Sequence, residues 1–339
     1  MVKKVIPARD KNEFGMDGFI WEHYTERAKA PKDPNVPKGP VVCGINVGAM
    51  RYPDDVPSYP LIDLAKDIVE TDYQRDGYMF RHYAPKGLTG PAPCMFYIHG
   101  GGWCMGALKR LNNINRRIAE VMNGVVIYVD YTLSPEAVFP TAVNQCYEVL
   151  KEVHENPEKY GVDPERIAVM GDSAGGNITA SVAILDRETH YMDTQILYYP
   201  ALDFSDHSYD VWDFEAYGKD LHPLVAGKTL GLYKTGRDLN DAYLRDVTPA
   251  DDEIASPLLY HDFKAFPPTI MLTAEYDFLR QQCEEFVQKL EDAGVKVDYV
   301  MYEGTFHGYL ERLGFFWQSD DSVHYIVDKW YEFLKEEGK

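Results

Sequence analysis

The 339-residue sequence contains only five cysteines, Cys43, Cys94, Cys104, Cys146 and Cys283. Their odd number, irregular spacing and lack of a Cys-x-x-Cys pair exclude a disulfide framework of the kind that stabilises small secreted domains. Reduced cysteines buried in the core are typical of proteins in a reducing compartment. The sequence therefore predicts a cytoplasmic protein.

Basic side chains are scarce, with 34 Lys and Arg against 54 Asp and Glu and a formal charge of −20. Such a surface repels phosphate backbones and anionic lipid headgroups, so nucleic acid and membrane are not expected as partners. No apolar run approaches the roughly 20 residues that cross a bilayer. The positively charged first ten residues also lack the apolar stretch of a secretory signal.

What the sequence does contain is the composition of a large globular chain. Hydrophobic residues make up 45% of it, enough for a sizeable core, and there is no repeat or low-complexity tract. Segments with helical spacing separate six short apolar runs of strand length, which suit strands covered on both faces. These runs are residues 94–98, 125–129, 167–170, 196–199, 269–272 and 297–302. The alternation predicts an α/β fold with a mostly parallel central sheet flanked by helices.

Two regions do not fit this alternation. Residues 1–75 mix charged helical pieces with proline-rich connections, and residues 204–255 form a long aromatic and acidic insertion. Long insertions in compact domains are usually lids or local subdomains. We therefore predict a core of residues 76–203 and 256–339, with a discontinuous cap made of residues 1–75 and 204–255.

A serine flanked by glycines follows one of the predicted strands. The motif Gly171-Asp172-Ser173-Ala174-Gly175 lies between the run at 167–170 and a helix of small residues. In such a strand–turn–helix setting the serine occupies a strained turn that projects its oxygen above the sheet, and glycines avoid collisions with nearby backbone. The alternative is a glycine-rich turn in which Ser173 only caps the helix.

A second motif, His99-Gly100-Gly101-Gly102-Trp103, follows the run at 94–98. Three consecutive glycines allow backbone N–H groups to point at one spot, as a developing oxyanion requires. A flexible turn or a phosphate-binding loop is the alternative, but neither a Gly-Lys-Ser/Thr nor a Gly-x-Gly-x-x-Gly pattern accompanies the motif. The glycine run and the serine motif together are far more specific than either alone.

A nucleophilic serine needs a base, which is itself held by an acid. His307 follows both Ser173 and a late strand, as the chain order serine, acid, histidine requires. Asp277 comes one short loop after the run at 269–272, and Glu275 is the alternative acid. Asp277 has the alternative role of a helix cap. The sequence thus predicts a triad of Ser173, Asp277 and His307.

Five ordered motifs resemble those of the α/β-hydrolase fold and, within it, the hormone-sensitive-lipase-like carboxylesterases. The similarity covers about residues 76–339 and includes residues 99–103, 130–136, 171–177, 277–280 and 306–308. The resemblance implies Ser173 as nucleophile, Asp277 as acid and His307 as base. It also implies a helical cap and an oxyanion hole formed by the N–H groups of Gly101, Gly102 and Ala174.

The chain departs from the family pattern at Thr132, where an arginine is usual. This departure predicts that a buried ion pair of the family is absent, and it leaves open whether the usual partner of that arginine is Glu136 or another residue. The predicted pocket residues are aromatic: Trp103 and, in the insertion, Trp212, Phe214 and Tyr217. The three aromatic residues of the insertion are equally compatible with the core of the cap.

The predicted function is hydrolysis of small, short-acyl, neutral esters through an acyl-enzyme. Neutral substrates are expected because an acidic surface disfavours anionic ones. No cofactor is expected, and no metal, because neither His-Glu-x-x-His nor clustered Cys and His spacing occurs. An amidase or peptidase with the same triad is the first alternative, and a non-catalytic ligand-binding protein is the second. A homodimer is the candidate assembly.

Overall fold

The computed structural model describes residues 3–39, 41–55 and 59–339. In these ranges the strands are β1 (Lys3–Ile6), β2 (Val41–Val42), β3 (Ile45–Asn46), β4 (Ile68–Gln74), β5 (Met79–Pro85), β6 (Ala92–Ile98), β7 (Val125–Asp130), β8 (Val162–Asp172), β9 (Thr194–Tyr198), β10 (Thr269–Tyr276) and β11 (Val297–Phe306). The helices are α1 (Gly18–Lys29), α2 (Val47–Asp55), α3 (Asn112–Met122), α4 (Thr141–Glu155), α5 (Pro157–Tyr160), α6 (Ala174–Asp186), α7 (Asp206–Asp210), α8 (Pro223–Leu244), α9 (Arg280–Asp292) and α10 (Trp317–Glu336). None of these helices is both long and apolar enough to cross a bilayer.

Nine strands form one sheet in the order β1-β11-β10-β9-β8-β6-β7-β5-β4. Neighbours from β1 to β7 are parallel, while β5 runs antiparallel to both β7 and β4. Strands β2 and β3 form a separate antiparallel ribbon. Each of the six apolar runs overlaps a strand of the large sheet, which confirms the predicted mostly parallel α/β architecture.

The central strands are buried on both faces because helices cover the sheet on both sides. All seven residues of β6 are buried, and their side chains alternate between two hydrophobic clusters. Phe96 points into the cluster that includes α4, α6 and α9, whereas Tyr97 belongs to the cluster of α3 and α10. Continuous apolar runs are therefore the expected sequence of these strands.

Strands β1 and β4 belong to the sheet, although the sequence assigns residues 1–75 to the cap. Both lie at sheet edges, and β4 buries only Ile68 of its seven residues. An edge strand with so little burial carries no apolar run by which the sequence would reveal it. The cap division otherwise remains a proposal, and residues 1–2, 40 and 56–58 of that region lie outside the described residues.

The two predicted cap segments contact each other. Ile45 of β3 packs with Ala242 of α8 and with Cys104 of the loop after β6, and Met50 of α2 and Leu239 of α8 border the same cluster. The N-terminal segment and the insertion therefore share a small hydrophobic core with the loop that carries the glycine run.

Arg51 of α2 attaches the N-terminal segment to the sheet core. Its guanidinium donates to both carboxylate oxygens of Glu136 at 2.9 and 2.6 Å. It also donates to the carbonyl oxygens of Cys104 and Ser134, at 2.9 and 3.0 Å. Glu136 thus has an arginine partner that comes from elsewhere in the chain. Thr132, at the position of the family's usual arginine, donates its hydroxyl to the Gly77 carbonyl.

Replacement of Arg51 by alanine is expected to lower the free energy of unfolding by about 1 kcal/mol, because four hydrogen bonds are lost from a partly exposed group. Urea unfolding measures this change. The matched control is Lys29→Ala, which removes an exposed pair with Glu26 on one helix. The control is expected to cost less than about 0.5 kcal/mol. Equal costs for the two variants would contradict the role of Arg51.

Candidate active site

Ser173 lies on the sharp turn between β8 and α6, with a backbone φ of 55° and ψ of −118°. A residue other than glycine rarely adopts this backbone conformation. Close backbone contacts surround the turn. A Cβ on Gly171 would lie 2.2 Å from the carbonyl oxygen of Gly175, and a Cβ on Gly175 would lie 2.1 Å from that of Ile98. Glycine is therefore required on both sides of the serine.

The ends of β10 and β11 bring an acid and a histidine to Ser173. His307 directly follows β11, and Asp277 directly follows β10. The Nδ1–H of His307 donates to Oδ2 of Asp277 at 2.6 Å, and the hydroxyl of Ser173 donates to Nε2 of His307 at 2.8 Å. The structure thus brings together the three side chains predicted from the sequence, in the order that general-base activation of serine requires.

The surroundings of His307 favour the protonated, charged imidazole more than water does. Burial lowers the pKa of His307, but the charge and hydrogen bond of Asp277 oppose this effect. Smaller contributions come from the charges of Glu311 and Asp172, and the net result is a pKa above the ordinary value. The imidazole is therefore a stronger proton acceptor than burial alone would allow.

Both oxygens of the fully buried Asp277 carboxylate are held. Oδ2 accepts from His307, and Oδ1 accepts the N–H of Leu279 at 3.0 Å. Glu275, the alternative acid, instead accepts the N–H of Gly304 at 2.8 Å. Asp277 therefore fixes the imidazole and also closes the turn that leads into α9.

The predicted oxyanion donors lie on the wall of the same cavity as Ser173. Gly101 and Gly102 adopt positive φ values of 124° and 57°, and both line the cavity together with Ala174. Ala174 is the first residue of α6, so its N–H has no acceptor within the helix. The three backbone groups thus border one space next to the serine.

Buried polar contacts fix the loop that carries these glycines. The Nδ1–H of His99 donates to the Gly100 carbonyl at 2.8 Å, and the His99 ring stacks on Tyr131 with 4.2 Å between centroids. Burial lowers the pKa of His99 to about 3, so its ring is neutral. Asp172 accepts the Gly100 N–H at 2.9 Å and the hydroxyl of Tyr97 at 2.8 Å. These contacts connect the glycine run to the serine turn.

A cavity of about 690 Å³ lies above Ser173 and His307. The core contributes Trp103 to its lining, the insertion contributes Phe204 and Leu239, and the N-terminal segment contributes Met50. The two regions predicted to form a cap thus enclose the candidate site, and the lining supplies the mostly apolar walls that small-molecule sites have.

Of the four aromatic residues predicted for the pocket, only Trp103 lines this cavity. Trp212, Phe214 and Tyr217 lie outside its lining, so the prediction was wrong for them. They pack on one another, and the hydroxyl of Tyr217 donates to the Asp277 carbonyl at 2.8 Å. Aromatic content alone does not distinguish a ligand pocket from a packed cluster that supports a catalytic loop.

Six charged residues that the sequence does not predict also line the cavity, namely Arg27, Arg110, Asp203, Asp238, Glu311 and Arg312. No motif marks them, although Glu311 and Arg312 follow His307 by four and five positions.

All five cysteines are free thiols, without a disulfide partner. Within the described ranges, no group of three or more His, Cys, Asp or Glu side chains is arranged to hold a metal ion.

A family model described as alpha/beta hydrolase fold matches residues 95–311, well over half of the chain. The chain belongs to the α/β-hydrolase fold family. Its resemblance to the hormone-sensitive-lipase-like carboxylesterases is confirmed by carboxylesterase relatives and esterase structures. This hydrolase is a carboxylic ester hydrolase.

Three similar proteins illustrate the relationship. The hydrolase is 33% identical to the arylacetamide deacetylase of Oryctolagus cuniculus, over 71% of this chain and 73% of that protein. It is 34% identical to the carboxylesterase NlhH of Mycobacterium tuberculosis, over 68% and 70% of the two chains. The crystal structure of a thermostable esterase from Pseudomonas putida superposes with a TM-score of 0.74 at 27% identity, covering 93% and 97%.

Replacing Gly171 by alanine is expected to destabilise the hydrolase by about 3 kcal/mol, because the new Cβ would collide with backbone that has no room to move. Urea unfolding measures the loss. The control is Gly227→Ala on α8, where no atom lies within 4 Å of the added Cβ. The control is expected to gain up to about 1 kcal/mol from helix propensity. An unchanged stability for Gly171→Ala would contradict the required close approach.

Proposed function

We propose that this chain is a serine esterase that hydrolyses small esters with short acyl groups through a covalent acyl-enzyme. The observation that carries the proposal is the continuous hydrogen-bonded path from Asp277 through His307 to the hydroxyl of Ser173. Ser173 is the proposed nucleophile, His307 the general base and Asp277 the acid that holds it.

In the acylation step, Nε2 of His307 accepts the proton of Ser173 while Oγ attacks the ester carbonyl carbon. The carbonyl oxygen becomes an anion, which the N–H groups of Gly101, Gly102 and Ala174 stabilise in our proposal. The tetrahedral intermediate then expels the alcohol, and the imidazolium donates the same proton to the departing oxygen. The products of this half are the free alcohol and an ester of Ser173.

In the deacylation step, water takes the place of the alcohol. His307 accepts a proton from the water as its oxygen attacks the acyl carbon, and the same three N–H groups hold the second oxyanion. Collapse of the intermediate breaks the bond to Oγ, and His307 returns the proton to Ser173. The carboxylic acid leaves, and the hydrogen-bonded path is restored.

We assign the limit on acyl length to Trp103. Its side chain is 3% exposed and lines the cavity. The ring stacks on Tyr243 at 4.7 Å and meets Phe204 edge to face at 5.1 Å. A wall packed in this way does not move to admit a longer chain. Rates across acyl lengths address this assignment, and a maximum at long chains would argue against it.

Amide hydrolysis is the second candidate, because one relative at 33% identity bears the name arylacetamide deacetylase. The same triad chemistry serves an amide, with His307 protonating the departing nitrogen. Rates for an ester and its isosteric amide separate the two candidates. Cytoplasmic location and homodimer formation remain predictions of the sequence.

Replacing Ser173 by alanine is expected to lower the rate of 4-nitrophenyl acetate hydrolysis by about 10⁵-fold or more, because the covalent route is lost. The release of 4-nitrophenol measures the rate. The control is Ser205→Ala, a serine outside the cavity that caps α7. The control is expected to keep the parent rate. A Ser173→Ala variant that turned over ester at the parent rate would overturn the assignment.

Activity is expected to fall as pH decreases through the pKa of His307, because only the neutral imidazole accepts a proton. Asp277 raises this pKa, so the midpoint of the acidic limb in the wild-type profile lies above pH 6.5, the ordinary pKa of histidine. In Asp277→Asn the limb is expected to move to lower pH, and kcat to fall by about 10⁴-fold. Profiles of kcat/KM against pH measure both effects.

The control for this profile is Glu275→Gln, which removes the neighbouring carboxylate but keeps an oxygen for the Gly304 N–H. Its acidic limb is expected to stay with that of the wild type. An acidic limb that shifts equally in both variants would show that Asp277 has no special coupling to His307.

A further inference from the structure

Three arginines line one part of the cavity that holds Ser173 and His307. We call Arg27, Arg110 and Arg312 the arginine corner. Arg110 and Arg312 share a single carboxylate, that of Glu311, to which Arg312 donates at 3.0 Å. In a chain with 20 more acidic than basic residues, an excess of positive charge beside the nucleophile is a local feature that composition does not explain.

The third arginine of the corner, Arg27, has no acidic partner among the residues that the structure describes. Within the described residues, no carboxylate oxygen lies within 4.0 Å of the charged nitrogens of Arg27 or of nearby Lys228. Lys228, on α8, has its ammonium 4.3 Å above the ring of Tyr24. Desolvation, followed by the charges of Arg27 and Arg312, lowers the pKa of Lys228 to about 8. The uncompensated cations therefore lie close enough to repel one another.

Arg312 is held in place by its neighbours, but one of its N–H donors has no acceptor among the described residues. Its guanidinium carbon lies 3.9 Å above the ring of Tyr59, and its side chain is 11% exposed. The buried Nε–H of Arg312 has no acceptor among the described residues. An unsatisfied charged donor is costly, and an anionic acceptor in the cavity would remove that cost.

The acidic residues of the cavity other than Glu311 lie on different segments. Asp203 follows β9 and accepts the N–H of Ser205 at 2.8 Å. Asp238 lies on α8, where an added Cβ on Gly44 of the β2–β3 turn would meet its carboxylate at 2.5 Å. Neither carboxylate forms an ion pair with the corner within 4.0 Å in the described chain. The cavity therefore carries unlike charges at different places in its wall.

We propose that the arginine corner binds a carboxylate of the substrate, so that the preferred ester carries a free carboxylate beyond the scissile bond. This inference rests on the proposed function and specifies its substrate class. Guanidinium groups suit a carboxylate because they donate two parallel charge-assisted hydrogen bonds. The carboxylate belongs either to the acyl part or to the alcohol part of the ester.

The net charge of the chain predicts neutral substrates, whereas the corner favours anionic ones. Screening decides between the two effects, because the Debye length is about 8 Å at physiological ionic strength. Charges scattered over the outer surface are largely screened at the cavity, while groups that line it act on the ligand directly. At the corner itself three arginines meet the single carboxylate of Glu311, so a ligand bound there meets more positive than negative charge.

The test compares matched esters on the purified full chain. The acyl arm uses mono-4-nitrophenyl glutarate against 4-nitrophenyl valerate, and the alcohol arm uses 4-acetoxybenzoate against 4-acetoxytoluene. Arg27→Gln is the main variant because Arg27 is exposed and forms no ion pair with any residue in the described part of the chain. Lys29→Gln is the matched control, since it removes the same charge from the same helix at a residue that pairs with Glu26 and does not line the cavity.

In one arm the wild-type kcat/KM for the carboxylate ester is expected to exceed that of its neutral partner by about tenfold or more. Arg27→Gln is expected to remove most of this preference through KM, because it lowers kcat/KM for the carboxylate ester far more than for its neutral partner. Lys29→Gln is expected to change neither. The arm that shows the preference identifies the part of the ester that carries the carboxylate.

Preference for the neutral ester in both arms, or equal effects of Arg27→Gln and Lys29→Gln, would overturn the inference while leaving the esterase function intact. If no ester is hydrolysed, the proposed function fails, and binding still tests the corner. Calorimetry with glutarate and with 4-acetoxybenzoate on Ser173→Ala is then expected to show binding that the additional Arg27→Gln change weakens about tenfold. Absence of binding would overturn the inference.

Discussion

The parallel arrangement of β8, β10 and β11 is the constraint on which the site depends. Parallel strands end at the same edge of a sheet, so residues far apart in sequence meet there. Ser173, Asp277 and His307 each follow directly after one of these strands. The strand carrying Ser173 must then turn abruptly into α6, and the backbone contacts around Gly171 leave no space for a side chain. The three side chains therefore form a continuous hydrogen-bonded path, and no long loop has to become ordered to complete it.

The two predicted cap segments contact the predicted core through the same loop that carries the glycine run. Arg51 of the N-terminal segment donates to the carbonyl of Cys104, two residues beyond Gly102, and to Glu136. Ile45 and Ala242 pack against Cys104 from the two cap segments. Movement of either predicted cap segment would therefore also displace the loop that borders Ser173.

The sequence predicts the fold well, and the three residues that it proposes for the triad meet in the structure, because both rest on patterns local to one strand and its following turn. Apolar runs identify the buried strands, and parallel pairing then brings Asp277 and His307 to Ser173. Edge strand β4 leaves no such pattern, since only Ile68 is buried. The cavity lining depends on contacts between distant segments, so Trp212, Phe214 and Tyr217 were assigned to the pocket wrongly, and Arg27 and Arg312 were missed. A total charge of −20 likewise does not describe which charges line one cavity.

We propose above all that His307 and Asp277 make Ser173 a nucleophile. This proposal is tested most directly by treating the protein with a fluorophosphonate, which reacts with activated serines, and by mapping the adduct with peptide mass spectrometry. The account predicts one adduct per chain, located on Ser173, with its formation strongly slowed in His307→Ala. Full ester hydrolysis by a protein that carries no adduct on Ser173, or carries it on a different serine, would contradict the account.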